Sequence, residues 1–416
     1  MTLTAGGFPA EQVRRRAREG IAAAFPDRGE YGKVLFGAVP GAGPAPDGLD
    51  ALRLVPPVFM PDRLAKLVEL AREPRPDDVR LETEIGGLRS PLPLFVSAFG
   101  STAAAGLGRG VAIARQAGRL GLPMVVGENV VPVNGYGRLG PASDDDLRSR
   151  VRAYAREVPD HTGGVAVQQS TEDADAEVWN LVYSDPAVQP LLESGRLAFE
   201  LKVGQGAKPG LGGLTVLPAA TADRGSRFAT LTLAGDDVLR CASPGTFTEE
   251  ILRQQVRLMR NNYPRARVWV KLPPGRDVGL AAATAWRAGA DAVTVDGAEA
   301  GTGWAPTGFL DQVGLPLAEC LRRIRPGGSC LLVSGRIWEG ARAVKCIALG
   351  ARAVGLGRAA LLAADEDPES GLERFAACLA FELRLLVSAL GRYDATDVAA
   401  EDLWPAPGNN PEPGID

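Results

Sequence analysis

The chain has 416 residues, 45% hydrophobic and 23% charged, and this apolar content excludes a mainly disordered protein because it suffices for a core. Its 46 basic and 50 acidic residues give a net charge of −4 without a basic block, which argues against a nucleic-acid partner. No apolar run reaches the roughly 18 residues of a membrane helix, and the first residues lack an apolar signal core. We therefore expect a cytoplasmic protein without a membrane partner.

The first 79 residues are predicted to form a helical and Pro/Gly-rich extension. An Arg- and Ala-rich helix is expected within 1–30, and the Gly/Pro-punctuated segment 36–60 is expected to wrap a surface. Residues 80–91 alternate apolar and polar types around Gly86-Gly87. This pattern predicts a hairpin that closes the floor of a barrel.

A regular alternation of strand and helix patterns follows. Short apolar runs, typical of parallel strands covered on both faces, lie at 92–100, 123–128, 164–169, 197–204, 266–273, 291–297, 330–335 and 353–357. Helical segments separate most of them, which favours an α/β fold, a (β/α)8 TIM barrel over 80–365. An amphipathic helix over 369–390 and a tail complete a C-terminal extension over 366–416. A doubly wound open sheet is the alternative.

In such a barrel the active site lies at the carboxyl ends of the strands. The last two strands end in Ser334-Gly335-Arg336 and in Gly355-Leu356-Gly357-Arg358. Small residues allow close backbone approach, and the amides that begin the next helix attract an anion. We expect a phosphate here, with charge-assisted bonds from Arg336 or Arg358. Ordinary turns are the alternative.

Polar residues also end the middle strands. Lys271 lies in an apolar strand, where burial of its ammonium is costly unless it meets an anion. It therefore suggests a cation placed against developing negative charge, although a lysine that reaches solvent at the strand end is the alternative. The run VGQGAKPGLGG after strand four supplies Gln205 and Lys208 as candidate ligand contacts. Asp296, Glu299, Gly301 and Gly303 follow strand six.

The first three strands end in smaller or uncharged groups, apart from one acid. Ser97 and Ala98 end strand one and would suit a flat ring, while Gln168 ends strand three. Glu128 ends strand two and is either an acid/base group or part of a structural ion pair. The single histidine, His161, precedes strand three and is expected at the surface, away from any catalytic centre.

Three segments together resemble one known family. They are VGQGAKPGLGG, VDGAEAGTGWAPTGFLDQVGLPL and SGRIWEGARAVKCIALGA, and they strongly resemble the FMN-binding synthase domain of glutamate synthases. The closer likeness is to stand-alone glutamate-synthase-like proteins. The resemblance extends over roughly residues 80–365 and keeps the order of the motifs.

The resemblance implies FMN as cofactor and assigns roles to individual residues. Ser97, Ala98 and Lys271 would contact the isoalloxazine ring, while Gln205, Lys208 and Glu128 would meet an amino or 2-oxo acid. The remaining cofactor-binding residues expected are Gln168, Asp296, Gly301, Gly303, Ser334, Gly335, Arg336, Gly357 and Arg358.

The sequence also departs from that family. The region after the last strand has a single cysteine, Cys378, which cannot hold the iron–sulfur cluster that the family usually carries there. Five cysteines without a CxxC pair and one histidine predict no metal site. Met1-Thr2 offers no N-terminal cysteine nucleophile, so we expect no amidotransferase domain.

These features predict an FMN-dependent oxidoreductase of amino-acid metabolism that acts on CH–NH2 donors. Hydride would pass between the flavin and an amino or imino acid. Two alternatives remain open: a non-redox isomerase or lyase that uses FMN, and a degenerate subunit that binds a partner without turnover. A protein partner that carries electrons or supplies amine, and a homo-oligomer, are also kept open.

Overall fold

The computed structural model describes residues 3–25, 47–99, 108–127, 145–170, 178–206, 210, 214–218, 229–232, 237–241, 247–302 and 305–405. Its strands are β1 (Arg53–Leu54), β2 (Thr83–Ile85), β3 (Leu88–Ser90), β4 (Leu94–Phe99), β5 (Met124–Val126), β6 (Val165–Ser170), β7 (Leu197–Lys202), β8 (Leu214–Pro218), β9 (Ala229–Thr232), β10 (Asp237–Cys241), β11 (Arg267–Leu272), β12 (Ala292–Asp296), β13 (Leu331–Ser334), β14 (Ala353–Leu356) and β15 (Leu403–Trp404). Its α-helices are α1 (Ala10–Glu19), α2 (Pro61–Leu70), α3 (Arg109–Arg119), α4 (Asp145–Glu157), α5 (Val178–Ser184), α6 (Gln189–Glu193), α7 (Glu249–Asn262), α8 (Val278–Ala288), α9 (Thr307–Gln312), α10 (Leu317–Arg323), α11 (Gly340–Ala348), α12 (Arg358–Glu366) and α13 (Gly371–Ala389).

Eight parallel strands form a closed barrel. In chain order they are β4, β5, β6, β7, β11, β12, β13 and β14, and β14 pairs with β4 to close the ring. All eight correspond to the predicted apolar runs, so the predicted TIM barrel is confirmed and the open sheet is wrong. The runs are continuous because these strands pack inward on the barrel core and outward on helices. Every residue of β7 is buried, for example.

The predicted hairpin closes the amino-terminal end of the barrel. Strands β2 and β3 pair in antiparallel fashion, and Ile85 and Leu88 pack among the inward-facing side chains of the barrel strands. Trp269 Nε1 donates to the carbonyl oxygen of Gly86 over 3.0 Å. Gly86 has φ +56°, and a Cβ there would lie 2.4 Å from Trp269 Nε1, so only glycine fits. This end of the barrel is therefore apolar and filled.

The chain before and after the barrel packs on one side of it. Helix α1 lies against α12 and α13, where Arg14 pairs with Asp365 at 2.7 Å and Arg16 with Glu382 at 2.6 Å. The predicted C-terminal helix is confirmed as α13, and Gly391 follows it with φ +74°. Residues 26–46 and 406–416, parts of the predicted extensions, lie outside the described residues.

A small antiparallel sheet was not predicted. Strands β8, β10 and β9 pair in that order between β7 and α7, with Asp237 opposite Pro218 and Cys241 opposite both Leu214 and Ala229. Each strand is only four or five residues long. Such short segments give too little periodicity to stand out within the strand–helix alternation.

Candidate active site

Strand alternation places a polar layer directly above the apolar floor. Residues two apart on a strand face the same way, so the residues after the floor side chains also point into the barrel. Phe95 and Trp269 belong to the floor, and Ser97 and Lys271 follow them. The inward polar residues of this layer are Ser97, Gln168, Glu200, Lys271, Thr294 and Ser334, and all six are buried. The mouth of the barrel is therefore lined with hydrogen-bonding and ionisable groups.

Lys271 and Asp296 form a buried ion pair in this mouth. The ammonium nitrogen lies 3.0 Å from Asp296 Oδ2, and the two side chains are 7% and 4% exposed. Asp296 also accepts hydrogen bonds from Ser334 Oγ and, over 3.2 Å, from the amide of Gly206. These contacts compensate the cost of burying both charges. The pair brings together two residues that the sequence had predicted for the site.

Glu200 is a site residue that the sequence analysis missed. It is 1% exposed and accepts hydrogen bonds from Thr294 Oγ1 (2.7 Å) and Gln168 Nε2. Burial raises the pKa of the Glu200 carboxyl, and the nearby charge of Lys271 opposes that effect. A signal was present: Glu200 interrupts an apolar strand as Lys271 does, two residues after the floor residue Ala198.

The loop after β7 is tied to the loop after β12. Gln205 Oε1 accepts from Lys202 Nζ over 2.8 Å, and Gln205 Nε2 donates to Thr302 Oγ1 over 3.0 Å. Gly206 has no space for a side chain, since a Cβ would lie 2.3 Å from the carbonyl oxygen of Gly297. Gln205 is therefore held at the rim of the mouth. Glu299, also singled out in the sequence, instead accepts from the amide of Leu317 over 2.9 Å at the start of α10.

Arg358 begins helix α12 at the end of the last barrel strand. Its Nη2 donates to the carbonyl oxygen of Glu299, and its Cζ lies 4.4 Å from the centre of the Phe8 ring. Burial, with the nearby charge of Arg336, lowers the pKa of Arg358 to about 10. Within the described residues no carboxylate forms an ion pair with it. Gly301 packs against its side chain, where a Cβ would lie 2.9 Å from Arg358 Cγ.

Arg336 faces acidic residues of the N-terminal segment. Its Nη1 lies 3.2 Å from Asp47 Oδ2 and 2.5 Å from Asp50 Oδ2. Arg342, fully buried, binds the same two carboxylates at 2.7 and 2.5 Å. The neighbouring Arg342 guanidinium lowers the pKa of Asp47, although burial opposes this. The phosphate-binding role of Arg336 remains a prediction, and the structure gives this residue two anionic partners.

The other predicted positions differ in how far they are described. Gly335 and Gly357 follow β13 and β14 as expected, and Ala98 is half-buried near the end of β4. Glu128, Lys208 and Gly303 lie outside the described residues. His161 is exposed, as predicted.

The donors in this mouth fit a phosphorylated flavin. Ser97 Oγ is buried and, among the described residues, has no hydrogen-bond partner. Gly355 faces Ser97, and a Cβ at Gly355 would lie 2.0 Å from Ser97 Oγ, so residue 355 has no room for a side chain. Lys271 supplies a buried cation for the pyrimidine end of a ring, and Arg358 with the start of α12 suits a phosphate. Over the same described ranges, no group of three or more His, Cys, Asp and Glu side chains could hold a metal ion.

Comparison with known proteins identifies the region that carries this site. Residues 163–365 match the family model described as the conserved region in glutamate synthase. This part of the chain is therefore similar to the conserved region of glutamate synthases. This confirms the resemblance to glutamate synthases over residues 163–365, which include every described site residue except Ser97 and Ala98.

Glutamate synthases from several organisms are similar to this chain over about two fifths of its length. The archaeal-type glutamate synthase [NADPH] of Dehalococcoides mccartyi is 36% identical over 181 residues, which are 41% of this chain and 36% of that protein. A glutamate synthase large subunit-like protein of Rhizobium meliloti is 35% identical over 187 residues, 41% of this chain and 40% of the relative. The chain thus spans little more than a third of the length of the curated relatives that it matches.

Solved structures with the same fold are more distant in sequence. A soluble mutant of the membrane-associated (S)-mandelate dehydrogenase from Pseudomonas putida is 18% identical, with a TM-score of 0.54, and covers 95% of this chain and 99% of its own. A mandelate oxidase with a monooxide FMN adduct is 19% identical, with a TM-score of 0.52, covering 83% and 86%. These likenesses confirm the fold. In the described part of this chain, no helix is both long and apolar enough to cross a bilayer.

Proposed function

We propose that this chain binds FMN in the mouth of the barrel and is a flavin-dependent oxidoreductase that acts on amino or 2-oxo acids. The observation that carries the proposal is the buried Lys271–Asp296 pair, which lies at the carboxyl end of a barrel similar to glutamate synthases over residues 163–365. The named relatives are glutamate synthases, and one fold neighbour contains an FMN adduct. Both support a flavin here.

Each end of the cofactor has a set of candidate ligands in this chain. Lys271 would hold the pyrimidine edge of the ring, Ser97 would donate to it from β4, and Gln168 would meet it from β6. At the other end, Arg358 and the first amides of α12 would bind the phosphate, with Gly335 and Gly357 allowing close approach. FMN would supply a hydride acceptor and donor at its N5 atom.

The protein's own residues would then bind, orient and protonate the substrate. Gln205 and Lys208 would fix the substrate carboxylate beside the ring, and Glu128 would relay a proton to or from the substrate nitrogen. Asp296 would keep Lys271 in place through its contact at 3.0 Å. The resulting reaction is oxidation of a CH–NH2 donor or its reverse, reductive amination of a 2-oxo acid. A partner protein would supply electrons or amine. The protein would work in the cytoplasm.

The experiment is an anaerobic screen on FMN-loaded protein. Purified chain is saturated with FMN, freed of excess cofactor and mixed with individual amino acids, and flavin absorbance is followed. The reverse reaction uses chemically reduced flavin with 2-oxo acids and ammonia. We expect bleaching by at least one amino acid or reoxidation by one oxo acid. FMN uptake without any redox change favours an isomerase or lyase, and folded protein that takes up no FMN favours a degenerate partner subunit.

A further inference from the structure

Glu200 has no task in the proposed reaction, yet it lies in the polar layer and contacts two of its members, Gln168 and Thr294. Its carboxylate is 1% exposed, and both of its oxygens are engaged, Oε1 by Thr294 Oγ1 over 2.7 Å and Oε2 by Gln168 Nε2. Removing a carboxylate from water is costly, and a glutamine or leucine would fill similar space without that cost. We therefore infer that the negative charge of Glu200 itself has a function in the pocket.

The first effect concerns the amide of Gln168. A carboxylate can only accept, so it binds the NH2 end of this amide and thereby fixes the direction of the carbonyl end. Because Gln168 Nε2 donates to Glu200, the Oε1 atom of the same amide points away from Glu200. An acceptor oriented in this way is suited to a ring N–H group. Without an acceptor within reach at residue 200, the amide could turn and present its NH2 group instead.

The second effect concerns the charge of Lys271. Among the described residues, the charged groups that act on the pKa of Glu200 include Lys271 on β11 and Asp296 on β12, and Lys202 lies two residues further along its own strand. Lys202 also binds Gln205, and Asp296 contacts Lys271 directly. Glu200 acts on Lys271 through space in a buried region, where screening by water is weak. The two carboxylates together therefore reduce the positive potential that Lys271 presents to a ligand.

We propose that Glu200 is a positioning residue of the flavin pocket, which directs the Gln168 carbonyl toward the ring and moderates the positive potential of Lys271. This inference rests on the proposed binding of FMN and deepens it. Loss of the charge at residue 200 would stabilise the more negative, reduced form of the flavin relative to the oxidised form. A shorter side chain at residue 200 that keeps the charge would lose its contact with the Gln168 amide and leave that amide free to turn.

The test uses two variants of Glu200 with different predicted effects. Glu200→Gln keeps the shape but removes the charge. Its amide oxygen can still accept from Gln168 Nε2, while its NH2 group donates to Thr294 Oγ1. We expect its two-electron flavin midpoint potential to rise by about 30 mV, equivalent to a tenfold shift of the equilibrium. Glu200→Asp keeps the charge but is one methylene shorter. We expect its potential to stay near the wild-type value while its affinity for FMN, measured by fluorescence quenching, falls several-fold.

A matched control is Glu339→Gln. Glu339 is also an acid whose pKa is raised by burial, but it is half-buried and lies near Arg16 and Glu382 in the helical layer. We expect neither potential nor FMN affinity to change there. A wild-type potential in Glu200→Gln overturns the electrostatic role, and unchanged FMN affinity in Glu200→Asp overturns the positioning role even if Glu200→Gln fails to fold. Wild-type protein that binds no FMN overturns the proposed function, and this inference with it.

Discussion

Lys271 and Gly206 meet at one atom, Asp296 Oδ2, which lies 3.0 Å from the lysine ammonium and 3.2 Å from the glycine amide. The lysine comes from a barrel strand and the glycine from the QGAKPG loop. A single carboxylate therefore joins the proposed ring-binding cation to the proposed substrate-binding loop. Substitutions of Lys271 should therefore change both the free energy of unfolding and the reduction of the flavin.

Lys271→Met should lower stability and impair flavin reduction. The substitution leaves Asp296 buried without its cation, which costs about 3–5 kcal/mol in comparable pairs. The double variant Lys271→Met/Asp296→Asn should recover most of the unfolding free energy but not the rate of flavin reduction. Chemical denaturation and anaerobic stopped-flow absorbance measure the two effects. Restored reduction in the double variant would show that Lys271 acts only in folding.

Ser97→Ala should move stability and affinity in opposite directions. The hydroxyl of Ser97 is buried without a partner among the described residues, which costs about 1–3 kcal/mol in the protein free of ligand. Removing it should stabilise the apoprotein and weaken FMN binding, because the flavin loses a donor. Thermal unfolding without cofactor and fluorescence titration with FMN test this. Weaker stability together with unchanged affinity would contradict the assignment.

Arg358→Met should weaken the binding of FMN but not the binding of riboflavin. If Arg358 binds the phosphate, its loss removes a charge-assisted bond of about 1.5–3 kcal/mol, equivalent to roughly a 10- to 150-fold weaker affinity for FMN. Riboflavin has no phosphate and should bind as before. Arg352→Met is the matched control, since Arg352 immediately precedes the same strand at the opposite end of the barrel. Equal losses for both ligands would place the phosphate elsewhere.

Gln205→Ala should affect the substrate more than the cofactor. The substitution removes the link between Lys202 and Thr302, which holds the rim of the mouth. We expect KM for the substrate to rise with little change in FMN affinity. Gln254→Ala, on an exposed position of α7, is the control. A loss of FMN affinity as large as the change in KM would show that this loop supports the flavin instead.

The Glu200 carboxyl should make stability depend on pH. Its pKa is raised above the usual 4.5 by burial, so the folded protein holds this proton at pH values where the unfolded chain releases it. Relative to Glu200→Gln, the wild type should lose stability as pH rises above about 4.5, by about 1.4 kcal/mol per unit until the folded pKa is passed. Urea denaturation of both apoproteins across this range gives the difference. A flat difference would mean that the pKa is not raised.

The barrel strands were predictable because each is a compact apolar run. Since side chains alternate between the two faces of a strand, every second residue could then be predicted to point inward. The partners of those residues were not predictable, because they depend on ring closure. Glu200 meets Gln168 from the preceding barrel strand and Thr294 from the second strand after it. Lys271, Gln205 and Arg358 were predicted as site residues from their places at the ends of strands, and the resemblance to a family added their roles. Their contacts came only from the structure.

The pairing of Arg342 with Asp47 and Asp50 has a practical consequence for dissecting this protein. Arg342 is fully buried on a barrel helix, and both of its carboxylate partners come from the segment before the predicted barrel boundary at residue 80. A shortened chain that starts at residue 80 would leave the buried Arg342 guanidinium without these two carboxylates. The smallest autonomous unit for expression or crystallisation should therefore begin no later than residue 47.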